Sequence, residues 1–283
     1  MPAAGPSAVQ PSRIAAGRAT PVAPTQQRPQ QRGPARMDLA QSLSGLALGL
    51  FMWGHMLFVS SILLGEDAMW IVTKAFEGYF VFGRSFPGLV SVVVAVVATL
   101  LVLHAFLAMR KFPATWRQYR VFNEHRHTLR HGDTTLWWVQ VVTGFMLFFL
   151  AFPHLYQMLM HPGAIGPYES SARVYGGLWW PLYLVLLFAV ELHGGIGLYR
   201  LAVKWGWLQG ADPNAGRQRL KALKWALTGF FLLLGLATLG AYWKLGHARR
   251  DLPAATYTPA WAQPANPAPP GLAPATPRPE ARP

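Results

Sequence analysis

The hydropathy of the chain divides it into five long apolar stretches separated by polar connections. The stretches lie at about residues 38–64, 87–109, 135–160, 178–203 and 223–243. Each is at least as long as the roughly 20 apolar residues that an α-helix needs to cross the hydrocarbon core of a bilayer. The pattern therefore predicts an all-α membrane protein built as a bundle of five transmembrane helices.

The two ends of the chain differ in composition from the middle. Residues 1–36 are rich in Pro, Ala, Gln and Arg, and residues 251–283 are rich in Pro and Ala. Segments of this kind bury too little apolar surface to fold by themselves. We therefore predict a disordered tail at each end and one transmembrane domain over residues 37–250. No apolar run follows Arg13 and Arg18 closely, so the first tail is not expected to be a secretory signal peptide.

Composition supports the membrane assignment and excludes several kinds of site. Of the 283 residues, 52% are hydrophobic and only 13% are charged, which is unusual for a soluble domain. The chain has no cysteine, which excludes disulfides, thiolate metal sites, iron–sulfur ligation and covalently attached haem. The net charge of +14 comes mostly from Lys and Arg beside apolar runs, which indicates contact with membrane lipid and not with nucleic acid.

Basic residues are concentrated in alternate connections, and this predicts the orientation of the chain. They are Arg28, Arg32 and Arg36 in the first tail, Arg110, Lys111, Arg117, Arg120, Arg126 and Arg130 in the second connection, and Lys204, Arg217, Arg219, Lys221 and Lys224 in the fourth. The first and third connections are less basic. The positive-inside rule therefore places the N-terminus in the cytoplasm. Lys244, Arg249 and Arg250, after the fifth stretch, run against this assignment.

Four of the nine histidines lie within four different apolar stretches: His55, His104, His154 and His193. Ionisable side chains inside a span are rare and usually functional. His55 and His154 lie about 17 and 19 residues into outward-running helices, near the outer face, at a rise of 1.5 Å per residue. His104 and His193 lie about 17 and 15 residues into inward-running helices, near the cytoplasmic side. The four histidines therefore form two pairs at two depths.

Two stacked b haems, each with two axial histidines, are the favoured occupants of such pairs. Zinc or another small ion is disfavoured, because only two histidines meet at each depth and no carboxylate joins them at a suitable spacing. Small residues beside the histidines leave room for a flat macrocycle or for a neighbouring helix, and both interpretations stay open. These residues are Gly54, Gly194, Gly195 and Gly197.

Glu191 is the one carboxylate away from the ends of the predicted spans, two residues before His193. Insertion scales give a free-energy cost of ~2.5–3.5 kcal/mol for an Asp at the centre of a membrane helix, so a carboxylate at that depth is usually functional. A spacing of two residues, about 200° of helix rotation, points Glu191 away from the face that carries His193. Its role is either that of a proton relay or that of a neutral side chain hydrogen-bonded to a neighbouring helix.

The order and spacing of the histidines resemble those of the dihaem cytochrome b subunits of Wolinella-type fumarate reductases, in the succinate:quinone oxidoreductase superfamily. The matching motifs are W-G-H at 53–55, L-H at 103–104, F-P-H at 152–154 and E-L-H-G-G at 191–195. The resemblance covers about residues 38–243. It implies that His55 and His154 bind the iron of an outer haem and that His104 and His193 bind that of an inner haem, in agreement with their depths.

The resemblance also implies roles for other residues. Glu77, in the first connection, matches the acidic residue at which menaquinol is oxidised, and Glu191 matches the glutamate of a transmembrane proton pathway. Residues matching the partners of the haem propionates are Gln41, Ser42, Trp137 and Lys204 for the inner haem and Arg173 for the outer haem. Without the resemblance, Glu77 is a solvated loop carboxylate, and Trp137, Lys204 and Arg173 are interfacial anchors and topology charges.

The function that the resemblance implies is that of the membrane anchor and electron-transfer subunit of a fumarate reductase in the bacterial cytoplasmic membrane. Menaquinol is oxidised near the outer face, as in anaerobic respiration, and electrons pass through two b haems. They then reach an iron–sulfur subunit and a flavoprotein subunit that reduce fumarate on the cytoplasmic side, in a complex expected to be a dimer of heterotrimers. No flavin fingerprint or cysteine framework occurs in this chain, so those chemistries belong to other subunits.

Three alternatives stay open at the level of the sequence. The chain could serve a succinate:menaquinone reductase that runs in the reverse direction. It could also be the dihaem cytochrome b of a different respiratory complex, such as a hydrogenase or a formate dehydrogenase. The third alternative is a haem-free transporter that moves protons or metal ions with its histidines and Glu191, which an absorbance spectrum would distinguish.

Overall fold

The computed structural model of the chain describes residues 32–112, 115–129, 132–208 and 210–263. In these ranges, five helices are long and apolar enough to cross a membrane: Gly33–Leu64, Gly88–Met109, Thr134–Met160, Trp180–Lys204 and Pro213–Ala248. Throughout the same ranges the regular secondary structure is helical. The predicted all-α architecture is confirmed for the described ranges, and the five helices are the candidate membrane spans.

The elements follow one another in a simple order. They are α1 (Gly33–Val59) with a 3₁₀ turn (Ser60–Leu64), α2 (Glu66–Phe76), α3 (Tyr79–Phe82), α4 (Gly88–Met109), α5 (Trp116–Leu129), α6 (Gly132–Met160), α7 (Pro167–Tyr175), α8 (Trp180–Lys204), α9 (Pro213–Ala248) and a second 3₁₀ turn (Ala260–Ala262). Helices α2, α3, α5 and α7 lie in the connections. The hydropathy pattern does not predict these four, because they are short and partly polar.

The fifth span begins well before its apolar stretch. Asp212 precedes α9, and its side chain accepts a hydrogen bond from the backbone N–H of Asn214 at 2.8 Å, as an N-cap does. Pro213 occupies the first turn, where a missing N–H is harmless. The basic turns that follow are amphipathic and bury Leu220 against Tyr199 of α8. Hydropathy alone therefore underestimates the length of this helix.

Helix α8 holds the centre of the bundle, where it packs against α1, α6 and α9. Helix α4 packs against α1 and α6, so α1, α4, α6 and α8 surround a common space. Buried hydroxyl groups join α9 to the end of α1: Thr238 Oγ1 donates to Ser60 Oγ at 2.8 Å, and the Tyr242 hydroxyl donates to the Val59 carbonyl at 3.3 Å. In an apolar environment such hydrogen bonds add to close packing in holding helices together.

The first connection, the third connection and the segment after α9 lie on the same side of the membrane, because consecutive spans alternate in direction. On this side α7 packs along α9. The Arg249 guanidinium lies 3.5 Å from the centre of the Tyr168 ring, and the Tyr168 hydroxyl donates to Glu66 at 3.2 Å. Arg249, one of the charges that run against the positive-inside rule, is thus engaged by neighbouring side chains.

The folded part of the chain extends beyond the predicted boundary at residue 250. Residues 253–263 lie on the side just described, with Pro259 fully buried and the Trp261 ring against Trp70 of α2. The order of this segment cannot be predicted from its Pro- and Ala-rich composition, because its ring contacts come from two aromatic side chains, Tyr257 and Trp261. At the other end, α1 already begins at Gly33. The remaining residues of both predicted tails, 1–31 and 264–283, lie outside the described residues.

Candidate haem-binding site

The four span-borne histidines line one large cavity between α1, α4, α6 and α8. Each of these helices contributes one of them: His55, His104, His154 and His193, in that order. The cavity has a volume of 1540 Å³, whereas pockets for one small ligand measure about 300–1,000 Å³. The space is therefore large enough for more than one ligand of ordinary size, and its walls are mainly apolar.

The histidine rings face one another in pairs. The ring centroids of His55 and His154 are 6.1 Å apart, and those of His104 and His193 are 6.4 Å apart. A ligating imidazole nitrogen lies about 2.0–2.1 Å from its metal and about 1.1 Å from its own ring centre, so the centres of two axial rings on one metal are separated by about 6.2–6.4 Å. The structure thus brings together the pairs predicted from depth, at a spacing that fits one iron in each. Iron binding itself stays a prediction.

The outer pair contains a buried nitrogen without a hydrogen-bond partner. His154 Nδ1 has none among the described residues, and the ring lies edge-on to Tyr183 at 5.5 Å. The His55 ring stacks on Phe51 at 5.8 Å. An unsatisfied buried nitrogen is unfavourable unless another group uses it. The spacing of the His55 and His154 rings fits a pair of axial imidazoles, but in the described chain no hydrogen bond at His154 Nδ1 fixes which ring nitrogen carries the proton.

The inner pair is oriented by hydrogen bonds at the Nδ1 atoms. His193 Nδ1 lies 2.8 Å from the Gln140 carbonyl oxygen, so we assign Nδ1–H as the donor. His104 Nδ1 lies 3.2 Å from Ser44 Oγ, and this hydroxyl donates to the Gln41 carbonyl, so Nδ1 is again the donor. In both rings Nε2 is then the unprotonated nitrogen, as an iron ligand must be.

Two glycines make room for the inner histidines. A Cβ atom at Gly45 of α1 would lie 2.8 Å from His104 Cε1, and one at Gly144 of α6 would lie 2.7 Å from His193 Cε1. Any side chain at these positions would displace the imidazole rings. The sequence gives no signal for this role, because the faces of two helices that meet cannot be read from either helix alone.

The glycines singled out from the sequence do not touch the histidine rings. Gly54 has Phe58 as its nearest side chain, at 3.9 Å. Gly194, Gly195 and Gly197 face the side chains of Met52, Thr228 and Gln140 respectively. Gly54, Gly194 and Gly197 nevertheless line the cavity, whereas Gly195 lies against Thr228 of α9. Room for a flat ligand and close approach of a neighbouring helix therefore both remain interpretations of these glycines.

Cationic side chains lie at both ends of the cavity, where the carboxylates of a haem would need partners. Gln41, Ser42, Trp137 and Lys204 line the end near His104 and His193, and Arg173 lines the end near His55 and His154. Lys204 Nζ lies 2.7 Å from Asp38 Oδ2 and 3.1 Å from Ser42 Oγ. Arg173 donates two hydrogen bonds to the Ala164 carbonyl, at 3.1 and 3.0 Å. The donor sets therefore fit propionate groups at the two ends.

Glu77 lies outside the cavity but is not the solvated loop carboxylate that its place in the sequence suggests. It follows α2 directly and is 1% exposed. Lys74 Nζ lies 2.6 Å from Glu77 Oε2, and the Glu77 carbonyl accepts a hydrogen bond from the backbone N–H of Phe86 at 2.8 Å. The carboxylate is thus held in a buried ion pair on the same side of the membrane as α7.

Glu191 also lies outside the cavity, as its predicted direction away from His193 requires. It is fully buried, and neither carboxyl oxygen has a hydrogen-bond partner in the described chain. The Trp53 side chain lies beside it, without the geometry of a hydrogen bond. One turn further along α8, Gly195 meets Thr228, so this face of α8 is turned towards α9. Trp53 Nε1, on α1, is likewise buried without a partner in the described chain, so the indole is an available donor for a hydrogen bond to a neighbouring helix, and both interpretations of Glu191 remain.

Comparison with known proteins places these features in a family. Residues 117–236 match the family model described as the succinate dehydrogenase/fumarate reductase transmembrane subunit. The fumarate reductase cytochrome b subunit of Wolinella succinogenes is 55% identical over 227 residues, which cover 80% of this chain and 89% of that protein. The subunits of the same name from two strains of Helicobacter pylori are each 53% identical over 217 residues, covering 77% of this chain and 84% of theirs. The chain is therefore a multi-pass membrane protein that belongs to the fumarate reductase cytochrome b subunits, within the succinate dehydrogenase/fumarate reductase transmembrane-subunit family.

Proposed function

We propose that this chain is the membrane anchor of a fumarate reductase, that it holds two b haems, and that it oxidises menaquinol near the outer face. The observation that carries the proposal is that the four histidines form two pairs of facing rings within one cavity. The ring centroids are 6.1 Å apart in one pair and 6.4 Å apart in the other. A haem held by two imidazoles supplies a reversible one-electron carrier. His55 and His154 hold the outer iron, and His104 and His193 hold the inner iron.

The residues around the histidines orient the rings and meet the charged edges of the cofactors. The Gln140 carbonyl and the Ser44 hydroxyl fix the tautomers of the inner histidines. Inner propionates are met by Gln41, Ser42, Trp137 and Lys204, and an outer propionate is met by Arg173. The apolar wall of the cavity keeps water away from the two haem positions, which tunes the haem potentials.

Glu77 is the proposed base for menaquinol oxidation. Quinol oxidation releases protons together with electrons, and a carboxylate beside the hydroxyl group accepts a proton as the electron leaves. The ion pair with Lys74 at 2.6 Å fixes one oxygen of Glu77. Glu191 is the proposed carrier of a second proton movement, across the membrane.

The electrons continue to an iron–sulfur subunit and a flavoprotein subunit. Both subunits dock on the cytoplasmic side of the membrane, which is also the side of the N-terminus of this chain. Fumarate is the proposed final acceptor. Every residue named for this path also serves electron flow in the opposite direction, from succinate to menaquinone. A succinate:menaquinone reductase is therefore the second candidate that the geometry supports.

Haem content and ligand variants test the proposal. We expect the purified chain to carry close to two non-covalent b haems, visible in a reduced-minus-oxidised spectrum. His55→Ala and His154→Ala are expected to remove one spectral component, and His104→Ala and His193→Ala the other, because each iron loses an axial ligand. His161→Ala, at an exposed histidine outside the spans, is the control and leaves both components. Fewer than two haems in the folded chain, or one component lost in both His55→Ala and His104→Ala, would contradict the assignment.

A further inference from the structure

Residues 253–263, named here the C-terminal strap, lie on the surface formed by α2 and α7. The Tyr257 hydroxyl donates a hydrogen bond to Asp67, in the first turn of α2. The Tyr257 ring packs edge-on against Tyr168 of α7, with centroids 5.1 Å apart. The hydrogen bond to Asp67 raises the pKa of Tyr257 to about 12, so the hydroxyl remains a donor throughout the neutral pH range. Together with the buried Pro259, these contacts fix the strap on the two helices.

Aromatic contacts connect the strap to both sides of Glu77. Trp261 is 60% exposed, but its ring lies edge-on to Trp70 with centroids 5.4 Å apart. Trp70 is 5% exposed and also packs against Tyr79, at 5.7 Å. Trp70 belongs to α2, which ends just before Glu77, and Tyr79 begins α3, two residues after Glu77. Trp261 therefore packs on Trp70, and Trp70 connects α2 to α3 on either side of Glu77 through its contact with Tyr79.

The helices around Glu77 need such support. Helix α2 has 11 residues and α3 has 4, and isolated helices of this length are marginal in water. They are joined at Gly78, which has a φ of +76°, so the direction of the chain changes sharply after Glu77. A base must be held near its working position, since a misplacement of about 1 Å can lower a rate about a hundredfold.

We propose that Tyr257 and Trp261 are positioning residues for menaquinol oxidation, which hold α2 and the start of α3 so that Glu77 meets the quinol. The strap acts through Glu77, so the proposal rests on the function proposed above. The aromatic residues that matter are 4 positions apart in a Pro- and Ala-rich segment. Residues 264–283, which follow them, contain no aromatic residue.

The test uses the complex of this chain with its soluble subunits and a water-soluble naphthoquinol. We expect Trp261→Ala to lower kcat/KM for the quinol about ten- to a hundredfold. Trp261→Phe restores most of this loss, because a ring still packs on Trp70. Leu252→Ala, at an exposed residue just before the strap, is the matched control. In each variant the haem spectrum and fumarate reduction with reduced viologen remain unchanged.

Glu77→Gln and the double variant Glu77→Gln/Trp261→Ala separate this proposal from the proposed function. If the strap acts through Glu77, the double variant loses no more quinol activity than Glu77→Gln alone. A normal kcat/KM in Trp261→Ala, a further loss in the double variant, or loss of haem from Trp261→Ala would overturn the role of the strap while leaving Glu77 in place. Normal quinol oxidation in Glu77→Gln would overturn the proposed quinol site, and the strap proposal with it.

Discussion

Glu77 and Glu191 are both buried carboxyl groups, but their surroundings differ. Glu77 lies at the end of a short helix with Lys74 Nζ at 2.6 Å, so its negative charge has a partner. Glu191 lies within a span, and no side chain in the described chain donates a hydrogen bond to either of its oxygens. In the proposed function, Glu77 is the base for quinol oxidation and Glu191 carries a proton across the membrane.

Glu77→Gln is expected to lower quinol-driven kcat/KM by about 10²–10⁴, the usual contribution of a general base, because the amide keeps the shape but cannot accept the proton. Both haem components and fumarate reduction with reduced viologen should persist. Glu66→Gln is the control, since Glu66 lies in the same connection but its carboxylate accepts from Tyr168 at 3.2 Å. If both variants oxidise quinol normally, Glu77 has only a structural role in its ion pair with Lys74.

Prediction from sequence succeeded at residues whose type conflicts with their surroundings. Imidazoles at His55, His104, His154 and His193 stand out in apolar stretches, and helix rise together with the alternating direction of the spans was enough to pair them. The burial of Glu77 could not be predicted, since a carboxylate in a polar connection resembles any solvated one. Gly45 and Gly144 were missed for a different reason: their role depends on which ring of another helix lies opposite, and a single sequence does not contain that register.

At the scale of elements, the five spans were predicted because a long apolar run has few alternatives. The helices of the connections and the C-terminal strap were not, since their order depends on a few contacts with the rest of the bundle. Tyr257 and Trp261 make such contacts, and overall composition does not reveal them. The same limit applies to helix faces. Helices α1 and α6 bring Gly45 and Gly144 against His104 and His193, so the proposed haem site depends on the packing of whole elements.

Gly144→Ala tests this close approach of α6 and α8. The added Cβ would lie 2.7 Å from His193 Cε1, so the ring or the helix must shift, at a cost typical of overpacking of about 1–3 kcal/mol. We expect a loss or shift of the inner spectral component with the outer one unchanged. Gly229→Ala on α9, where a Cβ meets nothing within 4 Å, is the control and should be neutral or stabilising. An unchanged spectrum in Gly144→Ala would show that the inner haem does not depend on this contact.

At the scale of the whole molecule, the two histidine pairs line one cavity, and Glu77 and Glu191 lie outside it. Glu77 lies in the first connection, and His104 and His193 lie towards the opposite end of the cavity from His55 and His154. In the proposed function, electron transfer from an outer quinol to an inner acceptor moves negative charge inward. Against a potential that is negative inside, this costs ~2.3 kcal/mol per charge per 100 mV. An inward proton movement that accompanies the electron removes this cost.

Glu191→Gln tests whether Glu191 carries that proton. Glu191 is the carboxyl group buried between α8 and the face of α9 that contains Thr228, and an amide there cannot carry a proton through the span. We expect the variant to retain both haems and the soluble subunits but to lose most quinol-coupled turnover, or to generate a membrane potential during the turnover that remains. The measurement is fumarate reduction by a naphthoquinol in proteoliposomes, with a potential-sensitive dye. Glu124→Gln, at an exposed carboxylate in α5, is the control for the loss of one acidic residue. If Glu191→Gln turns over at the normal rate with no additional potential, the compensating proton takes another path and Glu191 is only a buried part of the helix interface.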